Sequence, residues 1–242
     1  MTKKTTSIIV LWIGLMHSSA SWAMAQTNIP TKTFIDVNVG VQPVSQTIDT
    51  TFSVPVYGQV ATAAATQRIG GGPLFDISVG YKVWHDVAVS VGFSSFSRTS
   101  TVAGTASVPS PLFFNQFQTV DIGGATATHT DRNIYVLVVW FLPVTDKIDI
   151  AVSAGPSGTS VKQEVVSSIT IPAGTQNAVA LVESQSKTAK GVNVGFDATY
   201  LIRKSYGAGI FIRYNGGSVD LPSVGNVKAG GFQMGIGARL RF

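Results

Sequence analysis

Enzymes that use a hydroxyl nucleophile need a histidine to take up its proton, usually with an acid that orients the ring. Beyond the N-terminal segment the chain offers His85, beside Asp86, and His129, two residues before Asp131. We interpret His85 as a solvated turn residue. Hydroxyl neighbours and Asp131 make a site at His129 conceivable, but two distant histidines without any cysteine are poor material for a metal site. We therefore expect no catalytic residue, metal or cofactor.

A second set of reactive side chains is ionic and lies at alternate positions within apolar segments. It consists of Asp36, Asp76, Lys82, Asp149, Asp197, Arg213, Arg239 and Arg241. Four acids and four bases on one face of a sheet would form an interior ionic network. Two interpretations remain open, a structural plug of paired charges and an ion-conducting or gating network.

The segments that carry these charges have the two-residue period of β-strands. Residues 231–242 are the clearest case. Phe232, Met234, Ile236, Ala238, Leu240 and Phe242 fall on one face, whereas Gln233, Arg239 and Arg241 fall on the other with two glycines. The apolar face of this final strand requires an apolar cover.

Eight such strands are predicted, at 33–44, 74–83, 87–98, 130–142, from 148 onward, 191–200, 206–214 and 231–242. The segment 134–142 is apolar on both faces, so its facing stays ambiguous. The links alternate between short turns and long loops at 45–71, 99–129, 160–188 and 215–230. Within 160–188 the stretches 161–171 and 178–184 are strand-like, so strands five and six are expected to continue past the membrane as a protruding hairpin. In an up-and-down barrel this alternation places every short turn at one end. The predicted fold is all-β, an eight-stranded antiparallel up-and-down transmembrane barrel with four long extracellular loops, and Asp36 is expected to pair with Arg239.

Composition supports a membrane location by strands. Only 12% of residues are charged, about half the usual share, and no internal apolar run is long enough for a membrane helix. Residues 1–25 have the basic start, apolar core and Ala23-Met24-Ala25 site of a cleaved signal peptide, although an uncleaved anchor is the alternative. The barrel domain then covers 26–242. Seventeen basic residues against 12 acidic ones, scattered along the chain, do not indicate nucleic-acid binding.

A soluble barrel of the lipocalin type has the same period with the apolar face turned inward. The membrane barrel is favoured because aromatic residues collect at the predicted short-turn end, as in an interfacial girdle. They are Tyr81, Trp84, Trp140, Tyr200, Tyr206 and Phe242.

Three features of the sequence carry a resemblance. They are the terminal alternation that ends in Leu240 and Phe242, the glycine-bearing strands 191–196 and 207–211, and the signal peptide. In these features the chain resembles small outer-membrane barrels of the OmpA/OmpX type. This resemblance implies a place in the outer membrane of a Gram-negative cell, contact with outer-membrane lipid, and recognition of Phe242 and Leu240 by the outer-membrane assembly machinery. Lipid A deacylases of similar fold carry a His-x-Ser arrangement on a late strand. The corresponding residues 214–218 contain no histidine.

The long loops are the other place for function. Phe113, Phe114 and Phe117 form a candidate binding patch for an extracellular ligand or surface, unless they pack against the protruding hairpins. Three hypotheses follow. The first is a non-enzymatic structural or surface-interaction barrel, the second a narrow channel for small or apolar solutes, and the distant third an outer-membrane lipid-modifying enzyme.

Overall fold

The computed structural model describes residues 32–170 and 178–242, so the predicted signal peptide lies outside the described residues. The described chain forms one sheet of eleven strands. They are β1 Thr33–Gln42, β2 Gln46–Val56, β3 Gln59–Ile69, β4 Gly72–Trp84, β5 Val87–Pro109, β6 Phe117–Gly123, β7 Thr126–Pro143, β8 Ile148–Thr170, β9 Ala178–Arg203, β10 Tyr206–Leu221 and β11 Gly225–Arg241. Among these residues there is no helix with the length and apolar character of a membrane span.

Antiparallel pairing joins many of these strands into a closed circuit. β5 pairs with β4 and with β7, and from β7 the pairing continues through β8, β9, β10, β11 and β1 back to β4. The two ends of the described chain meet in the β1–β11 pair. There the Phe242 amide donates to the Thr33 carbonyl at 2.8 Å, and the Thr33 amide donates to the Phe242 carbonyl at 3.1 Å.

The prediction of an all-β antiparallel fold is confirmed, but the structure has eleven strands where eight were expected. β2, β3 and β6 lie in two of the four predicted loops, and β5, β8 and β9 continue for 23, 23 and 26 residues. The sequence signal was weak because β3 buries Ala61, Ala63 and Ala65 and turns outward the similar residues Val60, Thr62, Ala64 and Thr66. Alanine differs too little from threonine in apolar character to produce a strong alternation.

Around the circuit the outward face is apolar and the inward face is largely polar. Exposed outward side chains include Val39, Phe75, Ile77, Val79, Val91, Ile134, Val136, Val138, Val194, Phe196, Ile210, Ile212, Met234 and Ile236. Buried inward ones include Asn38, Asp76, Ser90, Ser94, Asn193, Thr199, Arg213, Arg239 and Arg241. β7 turns Tyr135, Leu137, Val139 and Phe141 inward, which settles the facing that the sequence left ambiguous. This distribution is the reverse of that in a soluble barrel.

Beyond the circuit, β2, β3 and β6 join the far parts of β5, β8 and β9 in what we call the distal extension (residues 46–69, 101–123, 160–170 and 178–188). Its interior is a packed apolar cluster. The cluster contains Ala61, Ala63, Ala65, Val102, Ala106, Val108, Val120, Ile122, Ala127, Val166, Ile169, Ala178 and Ala180. The outward positions of β2 and β3 are mostly threonine, serine and alanine, so the extension has the polarity of a water-soluble β-structure.

The polarity inverts along single strands. On β5, Val89 and Val91 face outward and Ser90 and Ser94 inward, but farther along the strand Thr101 and Thr105 face outward and valine and alanine inward. β8 changes likewise, from Ile148 and Val152 outside to Ser160 and Lys162 outside. The same alternate positions face inward along the whole of each strand. The change in polarity must therefore reflect a change in the environment outside the strand. This boundary separates the part of each strand suited to hydrocarbon from the part suited to water.

Candidate functional site

The interior charges near the short turns form an ionic cluster between β1, β9 and β11. Arg239 is fully buried and pairs with Asp197, with a second contact from its Nε to Asp197 Oδ1 at 3.2 Å. Asp36 lies opposite Arg239 in the β1–β11 register, at 3.8 Å from the Arg239 Nε, but its nearer partner is Arg241 at 2.9 Å. Asp36 thus bridges two arginines, whereas the sequence analysis expected a pair with Arg239 alone.

A second ionic cluster lies farther along the interior, where β4, β7 and β10 supply the side chains. The Arg213 Nη1 donates to Asp76 Oδ2 at 2.6 Å and to the Tyr135 hydroxyl oxygen at 2.7 Å. The Tyr135 hydroxyl donates in turn to Asp76 Oδ2 at 2.6 Å. The guanidinium also lies over the Tyr135 ring, with its carbon 4.6 Å from the ring centroid. All three side chains of this triad, those of Arg213, Asp76 and Tyr135, are buried.

Asn38 connects the two clusters into one network. Its Oδ1 accepts from the Arg239 Nη1 at 2.6 Å, and its Nδ2 donates to Asp76 Oδ1 at 2.7 Å. The sequence did not indicate Asn38 or Tyr135 as members of the network. Asn38 carries no charge, and Tyr135 lies in the strand whose facing the sequence leaves ambiguous. Position on the polar face was the signal that could have found Asn38.

Two of the eight predicted network members stand apart. Lys82 lies 3.9 Å from Asp86 in the adjoining turn, with its ammonium 4.9 Å from the centroid of the Phe141 ring. Asp149 is buried, and its Oδ2 has no hydrogen-bond partner among the described residues. The ionic network therefore joins six of the eight residues, together with two side chains that the sequence did not indicate.

A third polar cluster closes the interior where the circuit meets the distal extension. Gln163 donates through its Nε2 to Gln67 Oε1 and to the Glu164 carbonyl, both at 2.7 Å. Its Oε1, 2.8 Å from the His129 Nδ1, must therefore accept a hydrogen bond, so Nδ1 carries a proton. The His129 Nε2 lies 3.1 Å from Asp131 Oδ1. The His129 Nδ1 is therefore hydrogen-bonded, whereas its Nε2 faces a buried carboxylate oxygen that has no hydrogen bond among the described residues.

Asp131 ties this cluster to β1 and β11. Its Oδ2 accepts from the Gly230 amide at 3.0 Å and from the Gln42 Nε2 at 3.4 Å. Burial alone lowers the pKa of His129, but the close approach and charge of Asp131, with the bond to Gln163, outweigh burial and raise it. The cluster lies beyond the apolar outward face of β7, where Thr128, Thr130 and Arg132 face outward.

These contacts decide what the two histidines are able to do. The His129 Nδ1 is hydrogen-bonded to Gln163 and the Nε2 faces Asp131 Oδ1 at 3.1 Å, so both ring nitrogens lie against buried protein groups. His85 lies in the β4–β5 turn with a positive φ of 43°, and its ring meets that of Trp84 edge-on. Within residues 32–170 and 178–242, no three histidine or acidic side chains converge in the manner of metal ligands.

The predicted loop patch is exposed. Phe113, Phe114 and Phe117 are 58%, 78% and 52% exposed, and Leu112 beside them is 82% exposed. They lie in and after the turn between β5 and β6, at the end of β5 remote from the circuit. At this exposure the three rings are not buried against the described parts of the hairpins, 32–170 and 178–242, which was the alternative interpretation.

No protein-family model matches the chain. A search of curated proteins also finds no match. Solved outer-membrane proteins are similar to the chain in fold. Neisserial surface protein A has 12% identity over 87% of this chain and 97% of its own, with a TM-score of 0.46. The outer membrane protein OprG from Pseudomonas aeruginosa has 11% identity over 88% and 96%, with a TM-score of 0.44. The outer membrane protease OmpT from Escherichia coli has 9% identity over 86% and 97%, with a TM-score of 0.46.

Proposed function

We propose that this chain is an integral outer-membrane protein, an eight-stranded transmembrane barrel with a filled interior and a structural or surface-interaction role carried by its distal extension. The closed circuit is the barrel, and the lipid-facing band is its apolar outward face. On β7 this band runs from Ile134 to Leu142, roughly 27 Å along the strand and about 20 Å along the membrane normal at a tilt of about 40°.

Orientation follows from the aromatic residues and the turns. Tyr81, Trp84, Trp140, Tyr200, Tyr206 and Phe242 are all between 42% and 70% exposed. They collect at the short-turn end, where amphipathic rings are favoured at a membrane interface. The short turns then face the periplasm, and the distal extension faces the outside of the cell. Export by a cleaved signal peptide at 1–25 completes the proposed route to the outer membrane.

The interior supports a structural plug. Arg239 and Tyr135 are almost completely buried, and Phe211 and Leu137 fill the space near them. The three polar clusters cross this space with paired charges and amides. An eight-stranded barrel is only wide enough for its side chains to fill. The channel hypothesis accordingly ranks second, and a folded protein is expected to show no discrete openings in a planar bilayer.

One observation carries the surface-interaction role, which is the exposure of Leu112, Phe113 and Phe114 at the outer end of β5. A contiguous group of exposed large apolar side chains on a folded domain commonly marks a site that binds a protein, a membrane or a ligand. The lipid-enzyme hypothesis has weaker support, because the one histidine with a suitable acid has both ring nitrogens against buried protein groups.

The test is adhesion of Gram-negative cells that express the chain. The triple variant Leu112→Ser, Phe113→Ser, Phe114→Ser is compared with wild type for attachment to epithelial monolayers and for cell–cell aggregation, at equal amounts in the outer membrane. Reduced attachment or aggregation is expected, because the substitutions remove the exposed apolar surface. The fold should persist, since no other described contact depends on these side chains being apolar. Equal values for both strains would contradict the proposed role. Single-channel recording of the same proteins separates a conduit from a plug.

A further inference from the structure

Two hairpin ends form one exposed surface at the tip of the distal extension. We call it the apical patch, and it consists of Tyr57, Leu112, Phe113, Phe114 and Phe117, which are 56%, 82%, 58%, 78% and 52% exposed. The Asn115 amide in the β5–β6 turn donates to Gln59 Oε1 beside the β2–β3 turn at 3.2 Å. This bond places the two turns side by side, so their exposed aromatic residues lie at the same end of the extension.

The ends of the two hairpins that carry the patch are free of charge. Residues 50–67 and 99–120 contain no aspartate, glutamate, lysine or arginine. A surface that bound anionic lipid or nucleic acid would need lysine or arginine, and a surface that entered hydrocarbon would have to exclude every charge. The chemistry of the tip is therefore complementary to an uncharged, apolar phase.

The backbone amides of the β5–β6 turn are also largely satisfied within the turn, as an apolar phase requires. The Ser110 amide donates to the Gln116 carbonyl at 2.7 Å, and the amides of Leu112 and Phe113 donate to the Ser110 Oγ at 3.3 Å and 3.4 Å. Pro109 and Pro111 have no amide hydrogen to satisfy. Unpaired amides are the main obstacle to placing an irregular turn in lipid. In this turn most of the donors are bonded or absent, and leucine and phenylalanine are exposed beside the uncharged side chains of Asn115 and Gln116.

We propose that the apical patch inserts into the interfacial region of a second, uncharged lipid bilayer that faces the cell surface. This inference rests on the proposed function, since it assigns a partner to the same extension. Leu112, Phe113 and Phe114 would enter the acyl boundary, and the hydroxyls and amides of the flanking strands would stay among the headgroups. A protein or glycan partner is the alternative that the experiment must distinguish.

The direct experiment places the full protein in lipid nanodiscs and measures its flotation with separate phosphatidylcholine vesicles. Wild type is expected to float with the vesicles, and the fraction bound should be insensitive to salt and to added phosphatidylglycerol. The variant Leu112→Ser, Phe113→Ser, Phe114→Ser should weaken binding by at least about tenfold, since burial of one such side chain already corresponds to roughly that factor.

A matched pair of single variants removes the same kind of surface at opposite ends of the molecule. Phe113 is 58% exposed in the apical patch, and Val144 is 56% exposed in the β7–β8 turn. Phe113→Ser should reduce flotation, and Val144→Ser should leave it unchanged. Absence of flotation for wild type, or equal flotation of wild type and triple variant, would overturn the lipid inference.

The adhesion experiment separates the two proposals. If cell adhesion depends on the apical patch but vesicle flotation does not, the surface role stands and the partner is a protein or glycan. If neither depends on the patch, both proposals fail.

Discussion

Removal of the Arg213 charge should be among the most damaging single changes to the interior. Arg213→Met keeps much of the side-chain length but leaves the carboxylate of Asp76, which is fully buried, without its cation. Asp76 would keep the hydrogen bonds from Asn38 and Tyr135, at 2.7 Å and 2.6 Å, but lose the charged donor at 2.6 Å. Breaking a buried ion pair by removing one partner costs about 3–5 kcal/mol.

The assay is urea unfolding of the protein in phosphatidylcholine vesicles. The double-mutant cycle with Asp76→Asn gives the coupling free energy between Arg213 and Asp76. Each single variant should lose about 3–5 kcal/mol, but the double variant should lose less than their sum by about 0.5–3 kcal/mol. Arg132→Met, at an exposed position of β7, is the control and should stay within about 0.5 kcal/mol of wild type. A single-variant loss below about 1 kcal/mol, or strict additivity in the cycle, would refute the buried-pair argument.

Three further predictions test other parts of the molecule. Because the pKa of His129 is raised, its stabilisation of the extension is fully present below about pH 6.5 and lost as pH rises through the folded-state pKa. Hydrogen-exchange protection of the extension, corrected for the pH dependence of intrinsic exchange, should fall as the pH is raised above about 6.5, and this fall should shrink in His129→Gln. A Cβ at Gly92 would overlap the Tyr135 ring, so Gly92→Ala should cost about 1–3 kcal/mol, whereas Gly158→Ala, with nothing within 4 Å, should be tolerated; equal urea midpoints would contradict this reasoning. Deletion of Phe242 should lower the amount of protein in isolated outer membranes, and an unchanged amount would count against a terminal assembly signal.

The sequence predicted the strands of the circuit well because their two faces differ strongly. Alternation of valine, isoleucine and phenylalanine with glycine and charged residues needs no tertiary information, since it follows from the backbone period alone. The segment 231–242 and the charged positions along β1, β4, β9 and β10 were visible in this way. The continuation of β8 and β9 as a protruding hairpin was also predicted and is observed. β2, β3 and β6 were missed, in β3 because alanine and threonine on opposite faces give almost no contrast.

The identity of the partners was decided by tertiary structure. Arg239 and Asn38 are 201 residues apart in the chain and meet only because β1 pairs with β11. Sequence spacing determines which face of a strand a residue occupies. The strand register and the length of the side chain determine which carboxylate an arginine pairs with. Asp36 therefore bridges two arginines, and Asp149 remains outside the network.

The sequence by itself determined the chemistry of each face, because a strand presents alternate residues to opposite sides whatever its neighbours are. It also contained the two charge-free hairpin ends, 50–67 and 99–120, with their aromatic residues. Only the tertiary structure decided that the apolar and polar faces exchange roles along β5 and β8, that neutral amides join the charges, and that two turns combine into one apical patch. These features depend on which strands lie side by side, and that is a property of the closed sheet as a whole.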